Sequence, residues 1–535
     1  MREIRADLAV VGGGLGGVAA ALAALDAGRT VVLTEDSDWL GGQLTSQAVP
    51  PDEHPWIEQF GCTARYRALR DEVRDYYHRW YPLSEEARRA RHLNPGLGTV
   101  SNLCVEPRVG AAVIEGMLAA ARTSGRLKVL LGRRPVEATT DGDRVTSVTL
   151  TGADGERVTL VAAYVLDATE TGELLPLADV EHITGSESRD ETGEPHAADN
   201  ARPLNMQAVS WCFAVDHLDG EDHTIDRPAS YEHWREHAPP SWPGSLLSFN
   251  APVPRTGKPL TRTFTPNPGS AGETVVDHRL VGGDTELWAF RRIADRRTFT
   301  PGHLVSDVTL VNWPMVDYVE GPVYGVEPAE VERHLRGARE LSLSFLYWLQ
   351  TEAPRPDGGV GYPGLRLRGD LLGTADGLAK RPYIRESRRV RALYTVAEQD
   401  LALDLRPDGR AVSYDDSVGV GSYRIDLHPS TGGDGYVDIA SCPFEIPLRA
   451  LVPVRVANLL PAAKNIGTTH VTNGCYRLHP VEWNVGEVAG TLAAFCLERR
   501  CTPQQVCADA PLREDLQSRL ARDGVEVRWP EVAGY

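Results

Sequence analysis

Leu8-Ala9-Val10-Val11-Gly12-Gly13-Gly14-Leu15-Gly16-Gly17-Val18-Ala19-Ala20-Ala21-Leu22-Ala23-Ala24-Leu25 decides the fold. Leu8 to Val11 is a short apolar run of strand type. Gly12 to Gly17 is a turn, and Val18 to Ala27 is an Ala-rich helix that Gly28 ends. Val31-Val32-Leu33 is a second apolar run, closed by Glu35. Strand, glycine turn, helix and strand in this span make a βαβ unit. Gly12, Gly14 and Gly17 satisfy G-x-G-x-x-G, with Leu15 and Gly16 between them. The first glycine permits the tight turn, the second lets a pyrophosphate approach the backbone, and the third lets the helix pack on the strand. The helix N-terminus then offers free N–H groups to phosphate. Glu35 stands where a carboxylate accepts hydrogen bonds from a ribose diol and repels a 2′-phosphate. A glycine-rich turn without a ligand would leave this placement of Glu35 unexplained.

The bulk composition narrows the function further. The chain has 535 residues, room for two or three domain-sized units. It is 42% hydrophobic and 24% charged, the balance of an ordinary globular protein with a real core. No stretch approaches the roughly 20 apolar residues of a membrane helix. Met1 to Ala6 carries charges of both signs and lacks the layout of a signal peptide, so a cytoplasmic protein away from membranes is expected. Acidic residues outnumber basic ones 74 to 56, a net charge of −18 that disfavours nucleic acid as a partner. Lys128, Lys258, Lys380 and Lys464 are the only lysines. The cysteines 62, 104, 212, 442, 475, 496, 501 and 507 form no CxxC, so neither a redox pair nor a metal site is expected, and they read as packed thiols.

FAD and NAD share the first motif, and later segments choose between them. Ala162 to Asp167 is an apolar strand closing on Ala168-Thr169-Glu170-Thr171-Gly172, which resembles the second dinucleotide motif of FAD-dependent oxidoreductases. Val456 to Ala463 resembles the strand those proteins place before the flavin contact. Gly486-Glu487-Val488-Ala489-Gly490-Thr491 reads as the opening of an Ala-rich helix whose N-terminal dipole would point at the flavin or the pyrophosphate. Longer blocks carry the likeness further: Gly41-Gly42-Gln43-Leu44-Thr45 with Pro51-Asp52-Glu53-His54, Gly373 to Arg389, and Gly421 to Pro429. Across most of residues 1–500 the sequence resembles the FAD-dependent oxidoreductase family of the glutathione-reductase-like superfamily, in a bacterial subgroup with these blocks.

The resemblance implies an α/β fold: a Rossmann-type FAD-binding domain of three layers with a β-meander, and an inserted α+β substrate domain. The implied boundaries are 1–200 and 441–500 for the FAD domain, 201–440 for the substrate domain, and 501–535 for a C-terminal extension. Cofactor contacts are expected from Gly12, Gly14, Leu15, Gly16, Gly17, Glu35, Gly41, Gly42, Gln43, Thr45, Ala168, Thr169, Gly172, Asn473, Gly486, Ala489 and Gly490.

The secondary-structure pattern has other marks. Leu127 to Asp167 reads as a meander of short strands with turns at Asp141-Gly142-Asp143 and Gly152 to Gly155. Residues 186–202 and 236–275 read as irregular, and Val331 to Thr351 has helical periodicity. In the run Arg385-Glu386-Ser387-Arg388-Arg389, a structural ion-pair network is favoured over an anion site. Four histidines, His54, His428, His470 and His479, lie in suggestive places. His428 ends the alternation Tyr423-Arg424-Ile425-Asp426-Leu427, and His479 follows Tyr476-Arg477-Leu478. A flavin that takes hydride works beside a base, and histidine suits that role. His428 and His479, with Tyr423 and Arg477, are the catalytic candidates.

The expected activity is a dehydrogenase or oxidase for a small polar organic substrate. A flavin monooxygenase is the first alternative, and a non-catalytic redox sensor or structural flavoprotein the second. The electron acceptor and a homo-oligomeric state stay open. No second G-x-G-x-x-G follows a strand, and the glycine-rich stretches 357–364 and 432–435 lack a following helix. NADH and NADPH should therefore reduce the flavin slowly. Stopped-flow mixing checks this, and rapid stoichiometric bleaching would move the assignment to a monooxygenase.

Overall fold

A computed structural model describes residues 2–268 and 285–534. The quoted stretch folds as read. Strand β1 (Arg2–Val11) leads through the glycine turn into helix α1 (Leu15–Asp26) and on to β2 (Val31–Thr34). β1 pairs in parallel with β2 on one side, Leu8 opposite Val31. On the other side it pairs in parallel with β6 (Arg157–Asp167), Val11 opposite Asp167. Both neighbours end where the glycine turn begins, so Thr34, Asp167 and Gly12 share one edge of the sheet. Ligands of open α/β sheets bind at this carboxyl edge.

The seven-stranded sheet is completed by β3 (Leu127–Leu130), β4 (Arg133–Asp141), β5 (Arg144–Gly152) and the strand Leu459–Pro461. β6 is shared along its length. Its first part carries β5 antiparallel, and Val165 to Asp167 carry Leu459–Pro461 in parallel. The sequence reading placed Leu127–Leu130 in the meander; instead it lies parallel to β2 at the sheet edge. The helix Pro107–Thr123 precedes it and acts as a crossover, which fixes a parallel return. The meander is β4-β5-β6. β4 escaped the sequence reading because it is largely exposed and has few apolar residues.

α1 is buried almost all round, between the sheet and the helix His479–Arg499. The contact is made by small residues. A Cβ on Gly486 would stand 1.9 Å from the Gly16 carbonyl, and one on Gly490 2.2 Å from that of Ala20. This helix starts at His479, with Leu478 as N-cap and Pro480 in the first turn. The sequence reading opened it at Gly486. Pro480 is acceptable in a first turn because the missing N–H has no intrahelical partner there, so Gly486 to Gly490 lie in its interior.

Between the two ends of the chain stand smaller antiparallel sheets. One has the order Arg292–Ala294, Val308–Val311, Phe213–His217, Leu365–Leu367, and another the order Asp317–Tyr318, Val209–Ser210, Tyr383–Ile384. The expected helix is present as Pro328–Thr351. In the irregular stretch from 236, the structure adds the short hairpin Asn250–Pro252 with Pro259–Thr261; residues 269–275 of that stretch lie outside the described residues. Among the described residues no helix is long and apolar enough to cross a membrane.

Overpacking of a tight core typically costs about 1–3 kcal/mol. Gly486→Val should cost at least that and lower the melting temperature. Gly116→Ala, on an exposed helix face where nothing lies within 4 Å, should leave it unchanged or raised. Thermal denaturation of the two variants checks the contact.

Candidate cofactor and substrate site

The glycines of the turn divide by what surrounds them. Gly12 has φ 102° and an added Cβ would meet the Ala168 carbonyl at 2.1 Å. Added Cβ atoms on Gly16 and Gly17 would meet the carbonyls of Ala462 and Gly12 at 1.9 and 2.0 Å. These three let backbone pack on backbone, with Leu15 fully buried among them. Gly14 differs: its added Cβ would meet only the carboxylate ends of Glu170 and Glu482, both at 3.2 Å, before the Gly42 Cα. Gly14 is the point where side-chain carboxylates, rather than backbone, close over the turn.

Glu35 is buried at the end of β2 and accepts the N–H groups of Gly13 (2.9 Å) and Ser37 (3.0 Å). Burial, with Asp36 adding to it, pushes its carboxyl well above the usual range. A second loop docks on the first: Gly41 has φ 109° and its N–H donates to the Gly13 carbonyl at 2.7 Å. A Cβ on Gly42 would stand 2.8 Å from the Gly14 Cα. Gln43 follows in the same turn. Its Nε2 donates to the Arg477 carbonyl at 2.9 Å and to the Glu482 carboxylate. Thr45, expected to donate to the cofactor, spends its hydroxyl on the Leu40 carbonyl (2.6 Å).

The first turn of helix His479–Arg499 meets the first turn of α1. Glu482 accepts the Gly16 N–H at 3.2 Å, so a carboxylate sits at the positive end of α1. Beside it Lys464, fully buried, pairs with Glu170. Burial works against the ammonium, but Glu170 and Glu482 hold it charged.

Other expected cofactor contacts have different neighbours. Ala168 packs on Gly12, and Thr169 donates through N–H and Oγ1 to Asp167, whose buried carboxyl is raised to about 6. Gly172 turns against Arg388. Asn473 donates to the Arg385 carbonyl at 2.9 Å. Gly486, Ala489 and Gly490 belong to the interior of the second helix, where both glycines pack on α1.

Beyond Gln43 lies a buried polar cluster. Arg477 donates to the Tyr383 hydroxyl at 2.8 Å and to the Asp426 carboxylate at 3.3 Å. Arg385 donates to the Ala208 carbonyl (2.9 Å) and Ser210 Oγ (3.0 Å), and pairs with Asp317 at 3.1 Å. His428 joins these acids: its Nδ1 is 2.6 Å from Asp317, and its Nε2 3.6 Å from Asp426. Burial alone would raise both carboxyls. His428 and Arg477 bring Asp426 to about 2, and Arg385 with His428 brings Asp317 below its ordinary value. His428 also lines a cavity of about 240 Å³ that it shares with Glu194, His196, Tyr436 and His470. Tyr423 is close enough to Asp52, Asp426, Arg477 and Arg291 for their charges to act on it, and burial raises its hydroxyl well above the usual range.

His479 is fully buried, and both its ring nitrogens go to the backbone. Nδ1 accepts the Asp52 N–H and Nε2 donates to the Val49 carbonyl, each at 3.2 Å. Burial takes its pKa to about 4, so the ring stays neutral. His54 hydrogen-bonds the Gly61 carbonyl, and His470 pairs with Glu386. Arg389 donates through both terminal nitrogens to Glu386, Glu187 and the Gly185 carbonyl, the structural network expected of that run. The thiols are buried or half-buried and unpaired.

Several site residues were not singled out in the sequence. Asp52 and Tyr383 lay inside quoted blocks, and Lys464 stood out as one of four lysines. Arg291, Asp317 and Glu482 carried no signal of their own. No metal was expected. Among the described residues, His233, His237 and Glu320 bring ligand atoms within 4.8 Å of one another, with His233 already 2.6 Å from Glu320.

The family model described as FAD dependent oxidoreductase matches residues 7–520. No curated protein matched the sequence. Similar solved structures include L-proline dehydrogenase from P. horikoshii, at 16% identity and a TM-score of 0.18, covering 35% of this chain and 24% of that one. The p-nitrophenol 4-monooxygenase PnpA from Pseudomonas putida is also 16% identical, with a TM-score of 0.24, covering 41% and 49%. The anhydrotetracycline hydroxylase OxyS from Streptomyces rimosus is 15% identical, with a TM-score of 0.22, covering 41% and 39%. The chain thus spans a quarter to a half of these structures. At this similarity they carry neither reaction nor substrate across.

The residues present fit FAD. Gly14 is covered by the side chains of Glu170 and Glu482 rather than by backbone, beside a helix end that attracts an anionic group, and Glu35 is a carboxylate at the end of β2. Gln43 Oε1 and both amide atoms of Gln47 are buried without a hydrogen-bond partner among the described residues. Buried amides of this kind are normally satisfied. Glu35 would hold the ribose, the Gly14 to Gly16 backbone the pyrophosphate, and Gln43 and Gln47 the flavin end. Loss of the ribose hydrogen bonds costs about a factor of 10 or more in affinity. Glu35→Arg should therefore release FAD during gel filtration while the chain stays folded. Flavin fluorescence of the separated fractions checks this, and undiminished retention would remove Glu35 from the ribose site.

Proposed function

The chain belongs to the FAD-dependent oxidoreductase family, with FAD as its cofactor, and from that premise we propose that it is a dehydrogenase or oxidase of a small polar organic substrate. The finer family placement, among glutathione-reductase-like proteins carrying the quoted blocks, and the split domain boundaries belong to the same reading. Bound FAD supplies a two-electron acceptor.

One observation carries the substrate side: Gln43, in the cofactor loop, is hydrogen-bonded to Arg477, the residue that anchors the buried cluster. A molecule resting on this cluster would lie next to the cofactor loop. Arg477 holds the Tyr383 hydroxyl in place as an acceptor. Tyr423, half-buried nearby and without a hydrogen bond to its hydroxyl among the described residues, is available to orient a substrate oxygen or nitrogen. Proton handling falls to His428. Asp317 lies at its Nδ1 and Asp426 near its Nε2, so a proton taken up by the ring would be held between two carboxylates. Its position between Asp426 and the 240 Å³ cavity suits passage of a proton from the cluster outwards. His479 has a different part in this reading. With both nitrogens used, it ties the loop Val49 to Asp52 to the start of its helix and keeps Asp52 in place.

A positioned acid or base contributes about 10²–10⁴-fold to rate. Anaerobic screening of small polar metabolites by flavin bleaching first identifies a reductant. With it, His428→Ala should slow flavin reduction by about that factor and alter its pH profile while FAD stays bound. His479→Ala should instead lower the melting temperature and leave the pH profile unchanged. Wild-type rate and pH profile in His428→Ala would pass the proton role to Tyr423 or water.

A further inference from the structure

Arg291 is a half-buried cation that the protein satisfies only in part: its guanidinium lies over the Phe290 ring and faces one acid. Its side chain is 12% exposed, and its Nε and Nη1 have no hydrogen-bond partner. The acid facing it, Asp52, is 3.7 Å from Nη1, too far for a hydrogen bond. Burial works against the charge, yet Asp52, Tyr423 and Tyr383 hold the guanidinium protonated. Other buried arginines of this chain have closer acid partners, although Arg385, Arg389 and Arg477 each leave Nε without a hydrogen bond among the described residues. Arg292, the next residue, donates to the Gly96 and Leu97 carbonyls and pairs with Asp295. Arg385 is paired with Asp317, Arg389 with Glu386 and Glu187, and Arg477 with Asp426.

Nor is Arg291 loosely placed. It ends the short helix Leu287–Phe290, its carbonyl accepts the Leu310 N–H at 3.0 Å, and the strand Arg292–Ala294 follows it in an antiparallel sheet. A buried guanidinium without hydrogen bonds is costly. A rigid frame that keeps one beside the tyrosines of the substrate cluster reserves it for something that arrives. The group that matches a planar fork of N–H donors is a carboxylate.

We propose that Arg291 is the substrate's anchor and that the substrate is a small carboxylic acid, its carboxylate hydrogen-bonded to the Arg291 guanidinium. The inference rests on the oxidoreductase reading above and names the substrate class for that site. Asp52 stands next to the anchor as a negatively charged neighbour. It disfavours a second carboxylate at that position, so the acid carries a neutral or cationic group on the side facing Asp52.

The test uses the full-length, FAD-loaded protein and needs no turnover. Acetate, propionate, glycolate and benzoate are titrated against the oxidised flavin spectrum, with their amides and potassium chloride at equal ionic strength as controls. A colourless preparation would sink the FAD reading before any titration, so the two failures are distinct. In a yellow protein, at least one carboxylate should shift the flavin bands saturably while its amide and chloride do not. Arg291→Gln should raise the half-saturating concentration about 10- to 100-fold, with Arg291→Lys between the two. Because the substitution removes a charge that has no hydrogen bond from Nε or Nη1 and only a long contact to Asp52, Arg291→Gln should melt at or above the wild-type temperature and keep its FAD. The proposal is overturned if no carboxylate perturbs the flavin, if amides do so equally, or if Arg291→Gln binds them unchanged. A lower melting point or failure to fold in Arg291→Gln also overturns it, since either marks Arg291 as a structural cation.

Discussion

Everything at the site depends on how closely two helices approach. α1 and the helix His479–Arg499 touch backbone to backbone, with Gly486 against Gly16 and Gly490 against Ala20. That separation is open only to residues without a Cβ at the contact. It sets the first turns of the two helices side by side, so that Glu482 of one reaches the Gly16 N–H of the other. The two ends of the chain thereby meet: the N-terminal part supplies the glycine turn and Glu35, and the C-terminal helix supplies Glu482 and the anchored His479. The strand Leu459–Pro461 makes the same join in the sheet, on the last residues of β6.

Charge is handled by saturation. In the middle of the chain, buried arginines are matched with buried acids, and backbone carbonyls take many of the remaining N–H groups. The result is a rigid polar interior whose carboxylates are held ionised by their partners, Asp317 and Asp426 most clearly. Gln43 and Gln47 by the cofactor loop and Arg291 by the tyrosines are among the buried groups with unsatisfied atoms, and leaving a buried donor empty is unfavourable unless something fills it.

The βαβ unit, with Glu35 at the end of its second strand, was legible because it is local. Strand, turn, helix and Glu35 lie within one short stretch, and each residue type has a backbone reason to be where it is. The long helix Pro328–Thr351 was legible for the same reason, through periodicity. β4 was not, because an exposed strand at the sheet edge needs no apolar alternation. The start of the helix at His479 was missed because Gly486 looks like a helix opening until the helix it packs against is known. Thr45 was given a cofactor role that its bond to Leu40 takes away.

The sequence by itself determined the dinucleotide-binding half, the βαβ unit, and the residues Gly14 and Glu35 that define it, since those properties follow from neighbouring residues and steric rules of the backbone. Only the tertiary structure decided which distant side chains share the buried polar cluster. Asp52, Arg291, Tyr383, Tyr423 and Arg477 are spread over more than four hundred residues, and no spacing rule links them. It also decided what each histidine does. His428 and His479 look alike in sequence, but one is held by two carboxylates beside a cavity and the other by two backbone groups in the core. A titratable group takes its role from the dielectric and the partners around it, and folding alone assembles those.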